Sequence, residues 1–129
     1  MIDVENKVFN KVYNKIIEKY PNALISSEYL RAESVFPAIT VMEQSNTVHQ
    51  QASELSKIEN MVSIMYEINV YSNKTVGKKS ECKDIIKIAD DAMLSMGFIR
   101  TYLEPIANLE NATIYRIVAR YEKLENGDM

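Results

Sequence analysis

The sequence predicts a single α+β domain spanning residues 1–129, with two helices packed on a mostly antiparallel sheet in the order α-β-β-β-α-β-β. Three observations carry this. Apolar residues recur at helical spacing between Asp3 and Tyr20 and again between Ser80 and Met96. Met61 to Tyr71 alternates with period two, as a strand covered on one face does. The length and an apolar content of 47% suit one ordinary domain that buries its own core.

In the first helix Val4, Val8, Val12, Ile16 and Tyr20 form a stripe that Phe9, Tyr13 and Ile17 widen. Asp3 is the expected cap of the exposed amides, and Pro21-Asn22 ends the run. Two short strands are expected next, Ser26 to Ala32 and Pro37 to Glu43, the second with Ile39 and Val41 on one face and Pro37 at its first position. Gln44 to Asn60 is polar and long for a connection, which predicts a loop that orders on contact with a partner, the alternative being a helical turn or two over Gln51 to Ile58. In Met61–Tyr71 the row Val62, Ile64, Tyr66, Ile68 and Val70 opposes Ser63, Met65, Glu67, Asn69 and Tyr71.

The second helix turns Ile85, Ile88, Ala89, Ala92, Met93 and Met96 inward, with Ser80 as the expected N-cap and Gly97 where a left-handed C-cap belongs. Phe98 to Leu103 and Ala112 to Leu124 are the closing strands. The last has Ile114 and Val118 on one face and Tyr115, Ile117 and Tyr121 on the other. Neither face of that strand is purely polar, so the sheet's second face is expected to meet another protein surface.

A net charge of −3 argues against a dedicated nucleic-acid binder. The N-terminus reads as lacking a secretory leader, and no run of apolar residues is long enough for a membrane-spanning helix. The single cysteine, Cys82, has no internal disulfide partner, in keeping with a reducing cytoplasm.

Candidate chemistry is sparse. His49 is the one histidine, so a catalytic dyad would need it beside Cys82, whose position near a helix N-terminus would lower a thiol pKa. A buried structural cysteine is the simpler reading. Asp90-Asp91 point in different directions on a helix, and Gly77-Lys78-Lys79-Ser80 lacks the earlier glycine of a phosphate-binding loop, Ser72 standing in its place. Arg100, Arg116, Arg120 and Lys123 are expected on neighbouring strands as a basic patch. No catalytic, metal or cofactor-binding residue is assigned.

Three stretches carry a family likeness. They are Phe36-Pro-Ala-Ile-Thr-Val-Met-Glu-Gln-Ser-Asn46, Met65-Tyr-Glu-Ile-Asn-Val-Tyr-Ser-Asn-Lys74 leading through Gly77–Lys83, and Met96–Arg100 with Asn108–Arg116 and Arg120–Glu122. Together they resemble the tail-terminator, or tail-completion, proteins of bacteriophages and prophages of Gram-positive bacteria. The resemblance implies an α/β subunit that forms a homo-hexameric ring on the last ring of the tail tube. Such a ring ends tail polymerisation and offers a docking surface to the head–tail connector proteins. It also implies assembly in the host bacterial cytoplasm, a place in the tail or neck of the virion, DNA passing through the lumen without sequence-specific binding, no cofactor and no membrane partner.

Contact residues are expected on the second sheet face, at Met65, Glu67, Tyr71, Arg116 and Arg120, and in the polar loop, at Gln44, Asn46, His49 and Gln50. Reversing the charge of Arg116 and Arg120 is expected to weaken assembly and spare the fold. The competing readings are a neck or head-closure protein, a small cytoplasmic module that binds a peptide or ligand, and a thiol enzyme built on Cys82.

Overall fold

A computed structural model describes residues 2–28, 35–48, 61–106 and 113–126. The elements run α1 (Glu5–Lys19), β1 (Leu24–Ser26), β2 (Ala38–Val48), β3 (Met61–Ser72), α2 (Lys78–Ser95), β4 (Ile99–Pro105) and β5 (Tyr115–Asn126). This is the α+β order read from the sequence. The strands form one sheet in the order β1-β2-β3-β5-β4. Only the β1–β2 pairing is parallel; β2–β3, β3–β5 and β4–β5 are antiparallel. Strands β3 and β4 therefore run the same way with β5 between them, and α2 connects the two.

Both helices cover the face of β3 that carries Val62, Ile64, Tyr66, Ile68 and Val70, all of them buried. Helix α1 adds Val8, Val12 and Ile16, and α2 adds Cys82, Ile85, Ile86, Ala89, Ala92 and Met93. From β5 the same layer receives Ile117, Ala119 and Tyr121. Each fully buried aliphatic side chain contributes roughly 1.5–3 kcal/mol relative to exposure, so this layer is the main source of stability.

Several expected boundaries shift for physical reasons. The polar stretch Gln44–Val48 is not loop but the second half of β2, paired with β3 across a bulge between Glu43 and Ser45. Backbone pairing with a long neighbour overrides the weak strand propensity of those side chains. The remainder of the expected loop, residues 49–60, lies outside the described residues. The first strand begins at Leu24 rather than Ser26; its expected continuation through residues 29–32 also lies outside them. Pro37 stands one residue before β2, at a cis Phe36–Pro37 bond.

Helix α1 has Val4 at its N-cap, although Asp3 does accept a hydrogen bond from the Glu5 amide at 3.0 Å. Helix α2 starts at Lys78, not Ser80, with Gly77 at its N-cap in the left-handed region at φ 88°. At the other end Gly97 has φ 89°, as its expected capping position requires. A Cβ there would also stand 3.3 Å from Cε of Lys123. Ile114 precedes β5 and so belongs to neither of its faces, whereas Val118 does lie opposite Ile117 and Tyr121.

Candidate functional site

The second face of the sheet is built in rows by the strand register. One row runs from Tyr102 (β4) through Arg120 (β5) and Glu67 (β3) to Met42 (β2). The next pairs Glu104 with Val118, Asn69 and Thr40, and beyond it Arg116 faces Tyr71 and Ala38. On the other side of the Tyr102 row, Ile99, Glu122, Met65 and Ser45 line up. A strand's side chains alternate strictly, so residues distant in sequence meet here without any local motif to announce them.

The centre of this face is a hydrogen-bonded network. Glu67 is only 7% exposed, and its carboxylate accepts from Gln44 Nε2 at 3.1 Å and pairs with Arg120 Nη2 at 3.5 Å. The Arg120 guanidinium lies 4.8 Å from the centre of the Tyr102 ring, and the Tyr102 hydroxyl donates to Glu104 at 3.1 Å. That bond, chiefly, raises the pKa of the Tyr102 phenol. Arg116 donates twice to Oδ1 of Asn69, at 3.0 Å from Nε and 2.7 Å from Nη2, and stacks 5.5 Å from the centre of the Tyr71 ring. Thr40 and Asn69, cross-strand partners, keep a buried hydroxyl and a buried amide nitrogen without a hydrogen-bond partner among the described residues.

Around this network the face turns apolar and accessible. Ile99 is 70% exposed, Leu124 53% and Met65 36%, with Glu122 set among them. Stable monomers rarely leave such a group of apolar side chains together in water without a use for it.

Six of the expected contact residues are brought together on this face: Gln44, Met65, Glu67, Tyr71, Arg116 and Arg120. Glu67 is not available as complementary charge for a partner, because Arg120 and Gln44 already occupy its oxygens. Asn46 falls on the opposite face, where its side chain donates to the Ile2 carbonyl at 2.7 Å; the bulge in β2 shifts the register there. His49 and Gln50 lie outside the described residues. The expected four-residue basic patch divides in two. Arg116 and Arg120 share the second face, while Arg100 turns to the helix side and pairs with Asp90 at 3.1 Å. Lys123 also turns there and donates to the Met96 carbonyl. Tyr102, Ile99 and Leu124 are not among the expected contact residues, nor is Asn69, although the strand alternation places it on this face.

Cys82 is fully buried, and its thiol approaches the carbonyls of Val70 and Tyr115 at 3.6 Å each. Burial, with a smaller contribution from Glu81, pushes the thiol up to about 12. This is the buried structural cysteine that the sequence favoured over a reactive one: losing water around a thiolate outweighs a dipole that acts only over the first turn. The Asp84 carboxyl is held below its usual range, through bonds from Lys19 and the Tyr20 hydroxyl. Among the described residues no three His, Cys, Asp or Glu side chains group as a metal site, and no helix is long and apolar enough to cross a membrane.

Compared with protein-family models the chain matches none, and no curated protein matches it either.

Proposed function

We propose that this chain is a structural subunit that caps the bacteriophage tail tube as a homo-hexameric ring, ending polymerisation and offering the head–tail connector a docking surface. The three stretches that resemble tail terminators are the source of this reading. The observation that carries the assembly part of it is the second sheet face, where exposed Ile99, Leu124 and Met65 adjoin Tyr102, Tyr71, Arg116 and Arg120. Aromatic, Met and Arg side chains are those enriched where protein surfaces meet. Arg120 and Arg116 are already held by Glu67 and Asn69, so a partner would meet a preorganised surface at a smaller entropic cost. In this reading the protein works through contacts alone, with no catalytic group or cofactor, and DNA passes through the ring unread.

The test is assembly with tube protein. Purified subunit should bind the ends of preformed tubes, appear there as a ring by electron microscopy and stop further elongation. A protein that stays monomeric at every concentration and neither binds tube ends nor changes tube length would overturn the proposal.

A further inference from the structure

On the side of the sheet opposite that face, α1 and α2 enclose a long open groove. Lys7, Lys11 and Lys15 recur every four residues on α1 and are exposed. None of the three makes an ion pair among the described residues, in contrast to Lys19, which pairs with Asp84 at 2.8 Å. The lysines rim two adjoining clefts of about 570 and 590 Å³ that share Lys11 and Ser95. A partly exposed apolar side chain lies within each, Ile88 in one and Met96 in the other.

A row of positive charge without an ion pair among the described residues, set beside apolar side chains, calls for a partner that brings carboxylates and apolar groups together. A nucleic-acid backbone fits less well, because a phosphate chain has nothing to bury on the partly exposed Ile88. The chain itself carries the required combination on its second sheet face. Glu122 is exposed there beside Ile99, Met65 and Leu124, and Glu104 is exposed two rows further along the same face. The spans agree as well. Glu104 pairs with Val118, so the two glutamates stand about four residues apart along β5, roughly 13 Å at strand rise. Lys7 and Lys15, eight residues apart on a helix, stand about 12 Å apart. Arg120, between the glutamates, has its charge offset by Glu67.

We infer that the α1–α2 groove receives the Glu104–Glu122 edge of a second copy of this chain, so that copies join head to tail. The two surfaces lie on opposite sides of the sheet, so each copy offers one and accepts the other. Such a contact is heterologous, and heterologous contacts close into rings or run on into filaments. The inference rests on the reading that the chain assembles with itself, and it names the two surfaces that meet.

The experiment uses two charge-reversed full-length proteins and light scattering across a concentration series. One carries Lys7→Glu with Lys15→Glu, the other Glu104→Lys with Glu122→Lys; all four positions are exposed, and circular dichroism checks that both proteins fold. Each alone should assemble at least about tenfold more weakly than wild type, because like charges then face each other. Mixed in equal amounts they should assemble again, since each reversed surface meets its complement, and rising salt should weaken both this mixture and wild type. Wild type that assembles while the lysine variant assembles equally well overturns the groove contact and leaves self-assembly standing. Two weakened variants that fail to rescue each other overturn the pairing of these two surfaces. Wild type that remains monomeric throughout, with tail tubes present or absent, removes both readings. Loss of duplex-DNA binding in the lysine variant with unchanged self-assembly assigns the groove to nucleic acid instead.

Discussion

The hydroxyl of the fully buried Tyr121 donates a 2.8 Å hydrogen bond to Oδ1 of Asp90, tying strand β5 to helix α2. Arg100 from the edge strand closes on the same oxygen at 3.1 Å. One carboxylate thus joins three elements, and burial with this bond keeps the phenol protonated well above its ordinary range. Tyr121→Phe should cost about 1–3 kcal/mol, the range for removing a hydrogen bond to a charged group. Chemical denaturation should show a lower midpoint with an unchanged slope. No loss of stability would mean that water replaces the hydroxyl at Asp90 at no cost.

Tyr66 presents the opposite case. Its hydroxyl is buried without a hydrogen-bond partner among the described residues, while its ring packs edge-on against Phe98 at 5.6 Å. Tyr66→Phe keeps the ring contact and removes an unsatisfied polar atom, so stability should stay level or rise by up to about 1 kcal/mol. Thermal unfolding of the pair of proteins decides it, and a clear fall in Tm would reveal a hydroxyl partner.

Glu43 titrates above its usual 4.5, first because it is partly buried and then because Glu5 and Asp3 lie close. A carboxyl whose pKa rises on folding binds more protons in the folded state, so its contribution to stability is lost as pH rises through about 4.5 towards the folded value. Glu43→Gln should therefore stabilise the protein at neutral pH by a few tenths of a kcal/mol, with the gain fading in acid. Tm measured across pH checks both the sign and the window.

The network around Glu67 changes what charge reversal should do. Arg116→Glu with Arg120→Glu was expected to spare the fold, yet Arg120 pairs with a carboxylate that is almost buried and Arg116 holds the buried Asn69. The double variant should lose roughly 3–5 kcal/mol, the range for stranding a buried charge. Arg120→Gln with Glu67→Gln removes both charges together and should lose far less. A double-mutant cycle by denaturation measures the difference.

Cys82→Ser should fold and keep its assembly behaviour at a cost of about 1–2 kcal/mol. The thiol is enclosed, with the carbonyls of Val70 and Tyr115 as acceptors that a serine hydroxyl can use. An abolished function in a stably folded variant would return the thiol to chemical consideration.

The sequence by itself determined the elements whose periodicity is strong. The Val8-Val12-Ile16 stripe, the Val62–Val70 alternation and the apolar side of α2 each need one buried face, and their spacing allows only one structure to supply it. Gly97 was legible for a local reason as well, since a left-handed residue after a helix favours glycine. Tertiary structure decided whatever depends on neighbours. Gln44–Val48 became strand because β3 offered twelve residues of backbone to pair with. Asn46 turned to the helix side because a bulge advances the register by one, and one residue reverses a side chain's face. The meeting of Glu67 with Arg120 and Gln44, of Arg116 with Asn69, and of Tyr121 with Asp90 follows from strand order. Strand order is set by how the whole core closes, and no local run of residues encodes it. Cys82 divides the same way: the sequence favoured a buried structural thiol over a reactive one, and only the packing of α2 beneath β3 and β5 supplied the burial that raises its pKa.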